Sequence, residues 1–216
     1  LLPLDGYDAK LSGSSDFAAI KDSDVIVITA GFPRQPGMNR EDLLNKNLSI
    51  MTNVANEVKT HAPNAFVIVV SNPLDAMVYS FYKVSGFKKN KVVGMAGILD
   101  SSRFKTYISL ALENEPQKNI KAMVIGGHGD TTMIPLIDYV EVNNKPLTDL
   151  LSVDKISKIA SDTMVGGASL TKLLGTSAWY APGASVAYLV KSILNDSKET
   201  LPCSVMLNGE YNVEDL

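Results

Sequence analysis

Three times in the first half of the chain, a short apolar run rich in valine and isoleucine ends in a turn and gives way to a segment with helical spacing. Val25–Thr29 leads to a helix over Arg40–His61, Phe66–Val70 to one over Leu74–Ser85, and Lys91–Gly94 to one over Ser101–Glu115. Continuous apolar strands alternating with helices predict βα units and a parallel sheet buried on both faces. In the first helix Leu44, Leu48, Met51, Ala55 and Val58 recur on one face, which assigns them to the core. Asn39 is placed to cap that helix, Glu41 and Asp42 suit its first turn, and Pro63 marks its end. The next two helices are expected to stop at Gly86 and Pro116.

The pattern changes in the second half. Ile120–Ile125 is expected to form a single strand ending at Gly126-Gly127-His128-Gly129-Asp130. Asp138–Val142 and Lys145–Leu147 flank Asn143-Asn144 as a hairpin, and helices are expected over Val153–Leu174 and Ala184–Asn195. Cys203–Leu207 and Glu210–Val213 flank Asn208-Gly209, a strong signal for a two-residue hairpin. The boundary between two lobes is placed near Ile98–Ser101, with no linker, internal repeat or low-complexity tract between them.

With 216 residues and 45% hydrophobic content, the chain can bury a substantial core. A net charge of −3 argues against nucleic acid or an anionic membrane as a partner, since either needs a basic field. Cys203 is the only cysteine, which excludes an intrachain disulfide and a Cys-rich metal site and fits a reducing, cytoplasmic setting. No apolar stretch approaches the roughly 20 residues of a membrane span.

In open parallel sheets, ligands sit beyond the carboxyl ends of the strands. Arg34 and Arg40 follow the first strand, Asn72 the second, and Asp100 and Arg103 the third, while His128 follows the first strand of the second lobe. The loop Ala30–Arg40, rich in Gly and Pro, reads either as a hinged lid carrying guanidiniums toward a small anion or as a solvated surface turn. His61, at a helix end, reads as structural. His128, between glycines, is the better acid–base candidate, because imidazole titrates near neutral pH. A metal site at His128 and Asp130 is a weak alternative, because one imidazole and one carboxylate fall short of a ligand set. Asp100 is a candidate to fix the His128 tautomer, whereas Arg103 taken singly reads first as a surface arginine of the following helix.

Four segments together resemble the lactate/malate dehydrogenase family: Ala30–Arg40, Ser71–Asp75, Gly94–Arg103 and Gly126–Asp130. Within that family they look most like the bacterial, lactate-dehydrogenase-like malate enzymes. The resemblance implies a partial Rossmann-type parallel sheet over residues 1–98 and an α+β substrate domain over residues 99–216. It implies NAD as cofactor, reversible oxidation of malate to oxaloacetate, and a homodimer or homotetramer. His128 would take the hydroxyl proton as hydride leaves C2, Asp100 would orient that imidazole, and Arg40 would polarise the C2 oxygen. Arg103 would hold the C1 carboxylate bidentately and Asn72 would hydrogen-bond substrate or nicotinamide. Arg34 falls at the family's specificity position, where lactate enzymes typically carry glutamine. A second substrate carboxylate opposite Arg34 makes malate the expected substrate, because a closed site would leave that cation unpaired otherwise. Gly31, Asn47, Val70, Asn72, Ala178 and Pro182 are the implied cofactor contacts, and no metal is implied.

The family's Gly-x-Gly-x-x-Gly turn and its acidic ribose ligand have no counterpart in these residues. The resemblance therefore implies a piece of a longer parent enzyme, inactive by itself, with Lys10–Ser12 orphaned and Val25–Thr29 left as an exposed apolar edge in the strand order 3-2-1-4-5-6. Three alternatives stand beside it. Another 2-hydroxyacid dehydrogenase loses mainly on Arg34. An NAD-dependent glycoside hydrolase would want a metal-binding Cys/His pair, and Cys203 lies far from the motifs. A non-catalytic interaction module has only the missing glycine turn in its favour.

Overall fold

The computed structural model describes residues 8–32, 40–129 and 131–215. Strands β1 (Val25–Ile28), β2 (Phe66–Val69) and β3 (Val92–Met95) pair in parallel, with Val25 opposite Phe66 and Val67 opposite Val92. The alternation of apolar runs and helices thus produces the sheet it predicts, and the central β2 is shielded on both faces. Helices α1 (Arg40–His61) and α2 (Leu74–Ser85) cover one face, burying Met51, Ala55 and Val58 against Met77 and Phe81. Leu44 and Leu48 are partly buried against the same core. Gly86 ends α2 in the left-handed region at φ 69°, its N–H donating to the Tyr82 carbonyl.

The other face is covered by α5 (Tyr180–Leu194), whose Leu189 packs with Ile68, Met95 and Leu99. Strand β9 (Cys203–Ser204) runs antiparallel to β3, so the described sheet has the order β1-β2-β3-β9. The late part of the chain therefore returns to complete the first sheet. Val27 on the edge strand β1 is 37% exposed, whereas Ile28 is buried and Val25 and Ile26 are half-buried; residues 10–12 are exposed and form no strand.

Several boundaries differ from the sequence expectations, each for a local reason. Helix α3 (Gly97–Ala111) begins four residues before Ser101, because the Ala96 carbonyl already accepts the Leu99 and Asp100 N–H groups. Only glycine fits at position 97, where a Cβ would lie 2.6 Å from the Pro202 side chain. The helix stops before Pro116 because Glu113 and Asn114 take positive φ and the Asn114 N–H turns back to Ser109. The boundary expected near residues 98–101 lies inside the first turns of this helix.

The single strand expected over Ile120–Ile125 is two. β4 (Ile120–Lys121) joins the hairpin β7 (Glu141–Val142) and β8 (Lys145–Pro146), whereas β5 (Val124–Gly126) pairs with β6 (Met133–Pro135). Each half finds its own partner, and the break falls at Ala122-Met123. The Asn143-Asn144 hairpin forms as expected, both residues in the left-handed region. Helix α4 (Val153–Leu174) matches its expected span. Helix α5 starts at Tyr180 rather than Ala184, since Pro182 is tolerated in a first turn.

The hairpin expected around Asn208-Gly209 does not form. β9 pairs with β3 instead, Glu210–Asn212 makes a short 3-10 turn, and only an Asn208–Glu214 bridge remains. Glu210 accepts the Asn208 N–H and binds Lys89; the bond from Lys89 is the main cause holding its carboxyl at about 2.

Candidate active site

A cavity of about 620 Å³ opens beyond the carboxyl ends of β1 and β2, where the topology places ligands. The loop after β1 contributes Gly31 and Phe32, α1 contributes Asn47, and the end of β2 contributes Val70 and Asn72. Ala178 and Pro182 line it from the entry to α5, and His128 from the turn after β5. All six implied cofactor contacts therefore border one cavity together with His128.

His128 is brought there by a turn that needs glycine at position 126. At Gly126, φ is 83° and a Cβ would stand 2.3 Å from the Thr132 carbonyl oxygen, so the chain turns sharply straight after β5. Behind His128, Asp100 lies in α3 with its side chain 2% exposed. Its Oδ2 is 2.8 Å from His128 Nδ1, and its Oδ1 accepts from Arg103 Nη1 at 2.9 Å. A carboxylate at that position accepts, so Nδ1 carries the hydrogen and Nε2 is the ring nitrogen left for chemistry. Both carboxylate oxygens are engaged, which offsets the cost of burying the charge.

Arg103 sits one turn along α3 from Asp100 and rests on α4. A Cβ at Gly167 would come 3.1 Å from Arg103 Nη1, and one at Gly166 would come 3.2 Å from Tyr107 Oη. This pair of helical glycines is a feature the sequence analysis did not single out, although adjacent glycines inside a helix signal close approach. Ser101, one residue after Asp100, accepts the Val124 N–H at 2.9 Å and ties α3 to β5.

The loops after β1 and β2 are tied to each other. Asn47, 2% exposed, accepts the Phe32 N–H at 2.7 Å and donates to the Asn72 carbonyl at 2.7 Å. Ser71 donates to the Ala30 carbonyl at 2.6 Å. The Asn72–Pro73 peptide is cis. Ser71, adjacent to the expected Asn72, was not anticipated as a contributor.

Arg34 and Asn39 lie outside the described residues, as does Asp130, and of Arg40 the structure describes the backbone, at the start of α1. His61 pairs with Glu57 at 3.4 Å at the far end of α1 and does not border the cavity. Burial pushes the Cys203 thiol up to about 11, which leaves it protonated and unreactive at neutral pH. No group of three or more potential metal ligands occurs among the described residues, and no described helix is long and apolar enough to cross a membrane.

Residues 6–94 match the family model for the lactate/malate dehydrogenase NAD binding domain, and residues 98–216 match that for the lactate/malate dehydrogenase alpha/beta C-terminal domain. Malate dehydrogenase of Flavobacterium frigidimaris is 56% identical over 98% of this chain, which covers 68% of its length. The crystal structure of Cryptosporidium parvum malate dehydrogenase superposes with a TM-score of 0.92 at 44% identity, over 99% of this chain and 69% of that one. The lactate dehydrogenase of the same organism, solved with lactic acid and nicotinamide adenine dinucleotide, gives 0.92 at 40% identity, over 99% of this chain and 68% of that one.

Proposed function

The chain belongs to the lactate/malate dehydrogenase family, and from that membership and the cavity's geometry we infer an NAD-dependent malate dehydrogenase that interconverts malate and oxaloacetate. The observation that carries the mechanism is the chain of contacts Arg103–Asp100–His128, which ends on a ring nitrogen at the cavity. NAD supplies the hydride acceptor when bound. The cavity fits its nicotinamide end: Val27, Val70, Pro182 and Val186 offer apolar walls, with Asn72 among the polar groups at the rim. His128 Nε2 takes the substrate hydroxyl proton during oxidation and returns it during reduction, while Asp100 stabilises the imidazolium so formed.

Arg103, already anchored through Nη1, has its remaining donors for the substrate's C1 carboxylate. Arg40 polarises the C2 oxygen and Arg34 meets the second carboxylate. Support for Arg34 comes from the sequence position alone, and the overall fold does not separate the two activities, since malate and lactate enzymes superpose equally well. We place the cofactor unit in residues 1–98 and the substrate unit in residues 99–216. Exposed Leu173, Trp179 and Tyr180 on and between α4 and α5 support association into a homodimer or homotetramer, and the lone, partly buried Cys203 is consistent with the cytoplasm.

The test is NADH oxidation by the full-length protein with oxaloacetate or pyruvate, before and after Arg34→Gln. Oxaloacetate should be preferred, and the substitution should move relative kcat/KM toward pyruvate by at least about 100-fold. No shift, or an initial preference for pyruvate, would remove the assignment to malate.

A further inference from the structure

Away from the candidate active site, at the amino ends of β2 and β3, a second cavity of about 430 Å³ lies between the chain leaving α1 and the chain leaving α2. Lys59, Lys88 and Lys91 line it, and no carboxylate does. None of the three has an ion-pair partner among the described residues, whereas Lys83 and Lys89, close by in sequence, bind Asp215 and Glu210. In a chain of net charge −3, three unpaired cations at one cavity run against the overall balance. The helix dipole accounts for Lys59, which lies in the last turn of α1. Lys88 and Lys91 lie outside any α-helix, beyond the glycine that ends α2 and at the entry to β3.

Ser85 adds a group of a different kind. It is 2% exposed and borders the cavity, its Oγ accepting the Phe87 N–H at 3.3 Å. A hydroxyl also carries one donor, and that hydrogen has no acceptor among the described residues. A buried donor beside three ammonium groups calls for an acceptor that bears negative charge. Asp22 and Asp24 line an adjoining cavity of about 330 Å³ that shares Lys91 and Pro63, so an anion is confined to the lysine side. The ammonium groups repel one another, and a ligand with several negative charges relieves all three at once. Lysine acts as a point charge, which suits phosphate oxygens, whereas a planar carboxylate is better matched by the fork of arginine.

We propose that this cavity is a second ligand site, which takes a di- or triphosphate, either free or carried by an organic group that rests against Pro63 and Phe87. Lys59, Lys88 and Lys91 hold its charge, and the Ser85 hydroxyl donates to a phosphate oxygen. The bound ligand ties the ends of α1 and α2 to the start of β3 and so stabilises the sheet. The site is separate from the cavity that holds His128 and does not depend on the malate dehydrogenase reading.

The test is calorimetric titration of the full-length protein, saturated with NADH so that the cofactor's own phosphate contacts are occupied, with tripolyphosphate and with ATP at low ionic strength. Tripolyphosphate should bind with a Kd of about 1 mM or below. Lys88→Gln and Lys91→Gln should each weaken it about three- to fivefold, and the triple variant with Lys59→Gln at least about 30-fold, as expected for lost charge pairs near a surface. Ser85→Ala should weaken it about threefold, as for one neutral hydrogen bond. The ligand should raise the melting temperature of the unmodified protein and leave that of the triple variant unchanged. ATP binding at least about threefold tighter than tripolyphosphate, and lost with the same lysines, supports a nucleoside against the apolar wall; equal affinity supports the polyphosphate alone as ligand. A Kd above about 10 mM, or affinity unchanged in the triple variant, overturns the proposal. Binding seen without NADH but abolished by it also overturns it, since the anion then occupies the cofactor site. If NADH itself does not bind, the functional reading fails, and the lysine variants alone decide whether the second site exists.

Discussion

The two sides of the cavity are held in different ways. On the α3 side, a guanidinium, a buried carboxylate and an imidazole form a charged chain in which each member orients the next. On the α1 side, the ties are neutral and run from Asn47 and Ser71 to backbone groups. The charged side holds the group that moves a proton, so it needs a partner for the imidazolium that forms. The neutral side holds backbone, so it needs only direction and distance. Loss of charge should therefore strike the chemical step, whereas loss of a tie should act through geometry or stability.

The largest effect is expected from Asp100→Asn, which preserves shape but removes the charge and replaces one of the two acceptor oxygens by an amide donor; with the remaining oxygen facing Arg103, the donor faces His128 and selects the opposite tautomer. Oxaloacetate reduction should fall in kcat by about three to four orders of magnitude, with NADH affinity unchanged, as measured by steady-state kinetics and fluorescence titration. A fall below tenfold would mean that the charged chain is not what orients the imidazole. A smaller effect is expected from Gly167→Ala, whose methyl would press on the Arg103 guanidinium. The KM for oxaloacetate should rise about tenfold, roughly one lost charge-assisted bond, with kcat changed far less. Equal losses in both constants would place Arg103 in the chemical step rather than in binding. The smallest is expected from Ser71→Ala, which removes one of the two ties. Denaturant unfolding should show a loss of about 1–2 kcal/mol with unchanged slope, and kcat within a few-fold of the original. A larger kinetic loss would mean that the neutral side also takes part in the reaction.

The parallel sheet was legible because its strands are buried on both faces and so form unbroken apolar runs, and because α1 keeps one apolar face through five positions from Leu44 to Val58. The second half was harder to anticipate because its strands are two or three residues long. Ile120–Ile125 has the composition of one strand, and its division depends on partners about ten to twenty residues away, Met133–Pro135 and Glu141–Val142. Asn208-Gly209 carries a strong local turn signal, but β9 instead pairs with β3, more than a hundred residues earlier in the chain. At the site, His128, Asp100 and Asn72 stood out because polar residues at strand ends have few other reasons to be there. The link from Arg103 to Asp100 is an i, i+3 pair on α3, a spacing legible once the helix is placed at Gly97. The seat that Gly166 and Gly167 make for Arg103 joins helices some sixty residues apart, and the grip of Asn47 on Phe32 depends on how α1 folds back over the loop that leads into it; both follow only from the packing of whole helices.

The central claim is that His128 moves the proton that accompanies hydride transfer. The most direct measurement is the rate of oxaloacetate-dependent NADH oxidation by the full-length His128→Asn protein, under conditions where NADH binding is confirmed by fluorescence. The account predicts a loss of at least about 1000-fold in kcat with NADH affinity retained. Turnover within tenfold of the unmodified protein would contradict it.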